Sequence, residues 1–188
     1  MTHGDDEPPR VLHERTLAST RLFRVEGVGL RFANGTEVEF ERIAPRGAGA
    51  VLVVPLHEDG RVSLVREYAA GTGRYELGLP KGRLEMDEAV LDAANRELRE
   101  EIGYAAQRLT RLRTLTLAPG YLSHSTHIVL AESLTPDPLP GDEPEALEVV
   151  HWPLDALETL LSREDLTEAR SIAALFMTRC HVQERDTV

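Results

Sequence analysis

The chain has 188 residues, 41% of them hydrophobic and 28% charged, which is enough for one compact domain with a sizeable core. Its net charge of −11 argues against non-specific nucleic-acid binding, which needs a basic surface, and means that an anionic substrate would need a local cation. Cys180 is the single cysteine, so no intramolecular disulfide can form, and no apolar run reaches the ~18 residues of a membrane span; we therefore expect a cytoplasmic protein.

The N-terminal region is predicted to contain a tail and a small sheet. Residues 1–10 are polar and acidic, unlike a signal peptide, and we expect a disordered tail there. Within residues 11–46, alternating apolar segments flank Asn34-Gly35, two residues that accept positive φ, which predicts a β-hairpin subdomain. So small an antiparallel sheet cannot bury a core alone and must pack on something else.

Residues 47–188 are predicted to form the main domain. The continuous apolar run 50–56 indicates a buried strand, and a second strand returns over 62–65. A loop punctuated by Gly71, Gly73 and Gly78 follows.

The rest of this domain alternates predicted strands and helices, which indicates an α/β or α+β sandwich around a mixed sheet. The expected elements are a helix over 88–102, strands near 109–117, 126–130 and 147–152, an acidic proline-rich loop at 136–144, and helices over 154–161 and 166–180. We expect Cys180 to pack in the core from the last of these helices.

The helix over 88–102 carries the most informative side chains. Glu97, Glu100 and Glu101 occupy roughly a third of the helix circumference, so their like charges repel. A bound Mg²⁺ or Mn²⁺ ion would turn this repulsion into attraction towards the cation. Both ions prefer hard carboxylate oxygens and keep substrate phosphates in their shell. The alternative is an acidic helix face that only meets solvent.

Three further residues fit the same frame. Arg96 can pair with a carboxylate and fix its orientation, and Glu88 lies favourably near the positive end of the helix. Gly103 is a helix stop.

The segment from Gly82 to Tyr104 resembles the Nudix box, G-x5-E-x7-R-E-U-x-E-E-x-G-U, where U is a bulky aliphatic residue. The one departure is Tyr104 at the last position. The resemblance implies a Nudix α/β/α sandwich that hydrolyses a nucleoside diphosphate linked to another moiety, with water as nucleophile and Mg²⁺ or Mn²⁺ as cofactor. It also implies the roles of the site residues: Glu97 and Glu101 as principal metal ligands, Glu100 contributing, the Lys81 carbonyl as a further ligand, Arg96 orienting the glutamates, and Glu88 supporting the site.

The resemblance extends to the ADP-ribose pyrophosphatases, dimers in which an N-terminal sheet is exchanged between subunits. Pro119, fifteen residues past the box, is typical of them, whereas Tyr121 is associated with diadenosine polyphosphate hydrolases. The chain resembles bacterial ADP compounds hydrolases of the NudE type from roughly 15 to 176, most clearly in the segments 21–23, 66–69, 75–78, 93–98 and 141–145. That resemblance implies a homodimer that acts on ADP-ribose, NADH and diadenosine polyphosphates and releases AMP.

Two positions depart from ordinary ADP-ribose pyrophosphatases. Ala69 stands where those usually have arginine, and Gly78 stands where an ungapped match places their glutamate. We therefore do not carry over their terminal-ribose contacts and expect a looser specificity for ADP compounds.

The general base and the substrate contacts are less constrained. Many ADP-ribose pyrophosphatases take the base from a loop after the core strands, where this chain has Glu143 and Glu145; either is a base or ligand candidate, or simply exposed. The substrate-binding candidates are Arg42, Arg66, Glu76, Pro119 and Tyr121, and bidentate phosphate contacts are the argument for the two arginines. Phe23, Tyr68, Tyr75 and Tyr121 are candidates to stack on adenine, although core packing is favoured for Phe23 and Tyr75.

Two other functions stay open. A nucleotide-sugar hydrolase or an RNA 5′-pyrophosphohydrolase would use the same box, but the acidic charge disfavours RNA. A catalytically idle nucleotide-sensing domain predicts loss of a box glutamate, yet all four are present.

Overall fold

The computed structural model describes residues 7–44, 47 and 49–187. Most of the predicted N-terminal tail lies outside the described residues, and the first strand already begins at Arg10. The elements in chain order are β1 Arg10–Ser19, β2 Arg24–Arg31, β3 Glu37–Ala44, β4 Ala50–Pro55, β5 Arg61–Ala69, β6 Arg74–Gly78, β7 Lys81–Arg83, α1 Val90–Glu101, β8 Tyr104–Thr116, β9 Ser125–Pro136, β10 Glu148–Pro153, a 3-10 turn Leu154–Ala156, α2 Leu157–Leu161 and α3 Ala169–Asp186.

The chain divides into two compact units. The first comprises Met1–Gly47 and Thr116–Ser125, and the second comprises Ala48–Leu115 and Thr126–Val188. None of the helices formed by the described residues is both long and apolar enough to cross a bilayer.

The first unit contains the antiparallel sheet β1-β2-β3. The predicted hairpin at Asn34-Gly35 is confirmed: Gly35 has a φ of +84°, and the Thr36 amide donates to the Asn34 side chain at 3.0 Å. The segment before β9 joins this unit through the Ile43 amide, which donates to the Tyr121 carbonyl at 2.7 Å.

The second unit contains two sheets among its described residues, in the orders β7-β4-β9-β8 and β10-β5-β6. The first is mixed, because β4 runs parallel to β9 and antiparallel to β7. This confirms the expected fold class. The structure adds β6, a strand that the glycine pattern had led us to treat as loop; Gly78 is its last residue and pairs with Val65 of β5.

The run at β4 is continuously apolar because both faces of this strand are buried. Leu52 and Val54 join one core cluster, with side chains from α2 and α3, while Val51 and Val53 join a second cluster with α1. Helices therefore cover both sides of the strand, and each buried aliphatic side chain contributes about 1.5–3 kcal/mol to that packing.

Helix α1 packs on the sheet through Ala93, Ala94 and Leu98, which are fully buried. Two alanines allow the helix to approach the sheet closely, and Leu98 fills the space between them and β4. The helix ends before Gly103, whose φ of +75° is the left-handed conformation predicted for a stop. This packing fixes the rotation of α1 and hence the direction of its glutamates.

Three side chains predicted to be in the core are exposed. Cys180 is exposed because it lies on a different face of α3 from the buried residues. The buried face contains Ser171, Ala174, Leu175 and Thr178. Phe23 is 55% exposed in the turn before β2, and Tyr75 is 42% exposed in β6. The local sequence did not reveal that the turn at Phe23 and the face of β6 that carries Tyr75 are exposed to solvent.

Replacing Leu98 by alanine should lower the free energy of unfolding by about 2–5 kcal/mol, since it leaves a cavity between α1 and β4. Urea denaturation measures this change. Leu91 on the same helix is 38% exposed, so Leu91→Ala is the matched control and should cost less than about 1 kcal/mol. Equal losses in the two variants would contradict the packing described for α1.

Candidate active site

The short strand β7 brings the start of the box next to α1. Pairing of β7 with β4 sets Gly82 opposite Val51, and α1 packs on the same face of β4. A Cβ built on Gly82 would overlap the carboxylate of Glu97. Glycine is needed here because the glutamate carboxylate fills the space that a side chain would take.

Arg96 holds three of the four box glutamates. Its guanidinium donates to both oxygens of Glu88 at 2.8 and 2.9 Å, to Glu97 at 2.7 Å and to Glu100 at 2.9 Å. A fifth donor position reaches the Arg83 carbonyl at 3.1 Å. The hydrogen bond from Arg96 lowers the pKa of Glu88, and the same bond raises the pKa of Arg96 above its usual range. The arginine thus orients the glutamates, as a planar fork of donors can.

Glu97 and Glu101 are the buried members of the set, at 7% and 8% exposure. Desolvation by burial raises the pKa of Glu97, against the effect of Arg96 and with that of Glu100 and Glu143. Burial also raises the pKa of Glu101 to about 8, with a further upward contribution from Glu97 and Glu143. The positive charge near these two carboxylates therefore does not offset the cost of burying them in the ionised form.

Lys81 connects the site to β5. Its backbone amide donates to both oxygens of Glu101, at 3.3 and 3.4 Å, and its ammonium group pairs with Glu67 at 2.8 Å. The backbone of Lys81 therefore lies beside Glu101, the region in which the predicted carbonyl ligand would be needed. The amide and carbonyl of one residue point different ways, so the ligand role of the carbonyl stays a prediction.

The loop between β9 and β10 borders the same glutamates. Glu100 and Glu101 line a shallow cleft together with Gly141, Glu143, Pro144 and Glu145. Glu143 is half-buried and close enough to raise the pKa of both Glu97 and Glu101. Glu145 instead accepts a hydrogen bond from the Tyr75 hydroxyl at 2.7 Å. The two base candidates of the sequence therefore differ in what they face.

This donor set fits a divalent cation. Within residues 7–44, 47 and 49–187, no three acidic, histidine or cysteine side chains already converge on one point, since Glu97 and Glu100 face Arg96 while Glu101 accepts from the Lys81 amide. Burial nevertheless raises the pKa of Glu97 and of Glu101, so a nearby positive charge would favour their ionised forms. Mg²⁺ and Mn²⁺ bind hard carboxylate oxygens of this kind. A cation at this position would stabilise both ionised forms.

The substrate-binding candidates divide between the two units. In the second unit, Arg66 pairs with Glu148 at 3.5 Å and lies 5.4 Å from the centre of the Tyr75 ring. Both oxygens of Glu76 accept bonds, from Arg74 at 2.8 Å and from Thr167 at 2.9 Å. Arg66 therefore keeps an exposed guanidinium, while Glu76 holds its own strand in place.

In the first unit, Arg42, Pro119 and Tyr121 line one shallow groove with Val28 and Phe40. Arg42 also pairs with Glu26 at 2.9 Å and Glu14 at 3.2 Å. The Tyr121 ring is 59% exposed. These residues form an apolar groove with one cation at its side, which is suited to a flat, partly charged ligand group.

Sequence reasoning missed several residues that shape the site. Glu67, Gly141 and Tyr75 lie outside the box, in segments that resemble the NudE type, but the sequence did not indicate which groups they contact. A Cβ on Gly141 would meet the end of the Glu143 side chain, which would have to shift.

Residues 46–175 match the family model of the NUDIX domain. The chain therefore belongs to the Nudix family and is a Nudix hydrolase. Residues 9–42 match the NudE-type Nudix hydrolase N-terminal domain, which confirms the resemblance seen in the N-terminal region.

Individual relatives agree with that assignment. The chain is 47% identical to ADP compounds hydrolase NudE of Escherichia coli (strain K12), over 92% of each protein. It is 33% identical to ADP-ribose pyrophosphatase of Bacillus subtilis (strain 168), over 81% of this chain and 86% of that protein. A crystal structure of an ADP compounds hydrolase superposes with a TM-score of 0.88 at 44% identity, covering 97% of this chain and 98% of the other.

Gly82→Ala should displace the Glu97 carboxylate and weaken Mn²⁺ binding at least about tenfold, which is about 1.4 kcal/mol. Electron paramagnetic resonance of free Mn²⁺ measures the affinity. Gly71→Ala is the matched control, because a Cβ on Gly71 meets open space. Unchanged affinity in Gly82→Ala would show that the position of Glu97 next to Gly82 does not matter for the metal.

Metal-free protein should lose stability as pH rises from about 4.5 to about 8, by a few kcal/mol at most. The sign follows because folded Glu101, with its raised pKa, keeps a proton that the unfolded chain releases from pH 4.5 upward. Urea denaturation in chelator at pH 5 and pH 8.5 measures the loss. Glu101→Gln should show a smaller loss than wild type, and identical losses would refute the burial argument.

Proposed function

We propose that this protein is a divalent-metal-dependent pyrophosphohydrolase of ADP-containing compounds, including ADP-ribose, NADH and diadenosine polyphosphates, and that it releases AMP. The observation that carries the proposal is the pair of buried carboxylates, Glu97 and Glu101, beside Gly82. The names of the Escherichia coli and Bacillus subtilis relatives support the substrate class.

Glu97 and Glu101 would hold Mg²⁺ or Mn²⁺ as principal ligands, with Glu100 and the Lys81 carbonyl contributing. When bound, such a cation would polarise a phosphoryl oxygen and lower the pKa of the attacking water. Arg96 would keep the carboxylates in place, because four of its donors already bond Glu88, Glu97 and Glu100. Glu88 in turn holds Arg96 and supports the site from outside.

Glu143 is the better candidate for the general base. Both Glu143 and Glu145 line the cleft with Glu100 and Glu101, but the Glu145 carboxylate already accepts a hydrogen bond from the Tyr75 hydroxyl. In hydrolysis, the water oxygen forms a bond to phosphorus, one bridging P–O bond breaks, and Glu143 takes a proton from the water. The products are AMP and the phosphorylated remainder of the substrate.

Substrate contacts follow from charge and exposure. Arg66 has an exposed guanidinium beside the rings of Tyr68 and Tyr75, and it would pair with a phosphate. We also propose that Arg42, Pro119 and Tyr121 contact the nucleotide, since their groove is apolar with a cation at its side. Glu76 would contribute indirectly, by holding β6 through Arg74 and Thr167.

We further infer that the protein works as a homodimer in the cytoplasm. The three-stranded sheet and the turn after β2 expose Val11, Phe32, Val38 and Phe40 at 37–51%, apolar side chains that a second copy of the chain would cover. The family resemblance supplies the rest of this argument. On the same basis we propose a hairpin subdomain (11–46) and a hydrolase domain (47–188); of the tail expected over 1–10, Arg10 belongs to β1.

The test is product analysis by chromatography with Mg²⁺ and separate substrates: ADP-ribose, NADH, diadenosine triphosphate, GDP-mannose and 5′-triphosphorylated RNA. We expect AMP from the first three and little product from the others. Activity only on GDP-mannose or RNA would overturn the substrate class and leave the metal chemistry intact. No activity on any of them would favour an idle nucleotide sensor.

In the same assay, Glu97→Gln should lower kcat at least about 10³-fold, equivalent to about 4 kcal/mol, because an amide replaces a charged metal ligand. Glu184→Gln, a change at an exposed position of α3, is the control and should keep wild-type turnover. A near-normal rate in Glu97→Gln would remove this residue from the site.

A further inference from the structure

Tyr75 makes a contact that the family pattern does not assign. Its hydroxyl donates to the Glu145 carboxylate at 2.7 Å, which links strand β6 to the loop that joins β9 and β10. The bond also raises the pKa of Tyr75, as expected when a hydroxyl donates to a carboxylate. Glu145 is two residues from Glu143, so this bond fixes the loop close to the proposed base.

The other end of this loop is tied to α1. The Asp137 amide donates to the Gly103 carbonyl at 2.9 Å, and the Leu139 amide donates to the Arg99 carbonyl at 3.0 Å. Arg99 also pairs with the Asp137 carboxylate at 3.0 Å. Residues 137–139 therefore follow α1 closely, and the segment after them depends on other contacts.

Glu143 lies between these two attachments. Its carboxylate occupies the space beside Gly141, where a Cβ would overlap it, and the same Cβ would lie 3.4 Å from the Glu100 carbonyl oxygen. The side chain is therefore folded back towards the C-terminal half of α1. Its position depends on the loop being held on both sides.

The Tyr75 ring has two neighbours besides the loop. Its ring meets Tyr68 edge-on at 5.5 Å between centroids, and the Arg66 guanidinium lies 5.4 Å from the ring centre. Arg66 pairs in turn with Glu148, the first residue of β10. An anchor made by a fixed ring costs little conformational entropy when it bonds the loop.

We propose that Tyr75 is a positioning residue, which holds the loop through Glu145 so that Glu143 faces the box glutamates. This inference rests on the proposed function and deepens it. It also assigns the two acidic-loop candidates different tasks: Glu143 acts in the cleft, and Glu145 accepts the bond that fixes the loop.

The first test is hydrogen exchange, which needs no substrate. In Tyr75→Phe, amides of residues 140–147 should exchange at least about fivefold faster than in wild type, because one attachment of the loop is lost. Ser162→Ala is the control, since it also removes a hydroxyl that donates a hydrogen bond, to the Thr159 carbonyl at the end of α2. Unchanged exchange in Tyr75→Phe overturns the proposal, whatever the enzyme acts on.

The second test is kinetic, with ADP-ribose and Mg²⁺. Tyr75→Phe should lower kcat about tenfold with KM within about twofold, the effect of one lost hydrogen bond to a charged group. Glu145→Gln keeps an acceptor oxygen and should fall between wild type and Tyr75→Phe, whereas Glu145→Ala should match Tyr75→Phe. In a Glu143→Gln background, Tyr75→Phe should change kcat less than about twofold, because Tyr75 acts through Glu143.

The outcomes separate the alternatives. A rise in KM with unchanged kcat, or an undiminished effect in the Glu143→Gln background, would mean that Tyr75 contacts substrate, and would overturn the positioning role. Failure of the wild-type protein to cleave any ADP compound would count against the proposed function alone, and the exchange result would still decide whether Tyr75 holds the loop.

Discussion

Repulsion among the carboxylates of α1 is the constraint on which the rest of the site depends. Arg96 holds Glu88, Glu97 and Glu100, whereas Glu101 accepts from the Lys81 amide, its one direct donor within the described part of the chain. Burial makes this imbalance costly, as the raised pKa of Glu101 shows. This imbalance is the physical basis for the proposal that a cation binds beside Glu97 and Glu101.

The sandwich supplies the rigidity that this arrangement needs. Strand β4 is buried on both faces, so it cannot shift without disturbing two core clusters. Its pairing with β7 places Gly82, and its packing against α1 places Glu97 and Glu101. The proposed metal ligands Glu97 and Glu101 therefore lie on a helix that packs on this doubly buried strand. Glu143 comes from a loop and needs attachments of its own.

The sequence predicted the features that follow from local patterns. The amphipathic period located α1, Gly103 marked its end, and Asn34-Gly35 located the hairpin, because each depends on a few neighbouring residues. The fixed spacing of the box also predicted that the glutamates share one helix face. These features do not need knowledge of which strands pair.

Features that depend on the tertiary arrangement were missed. Strand β6 forms because it pairs with β5. The sequence does not show this pairing, and the glycines around the strand suggested a loop. Cys180 and Tyr75 looked suitable for the core, yet which face of α3 and which face of β6 is buried depends on distant elements. The separation of Glu143 from Glu145 by the Tyr75 bond joins residues 70 positions apart, and no local pattern could reveal it.

The most direct test of the account is diffraction at the manganese absorption edge from crystals grown with Mn²⁺ and AMP. We predict an anomalous peak coordinated by the carboxylates of Glu97 and Glu101, next to Gly82. A peak that touches neither carboxylate would contradict the claim that these buried carboxylates form the metal site. The claim would also fail if no peak appeared at saturating Mn²⁺ while Glu97 still bonded Arg96 and Glu101 still bonded the Lys81 amide.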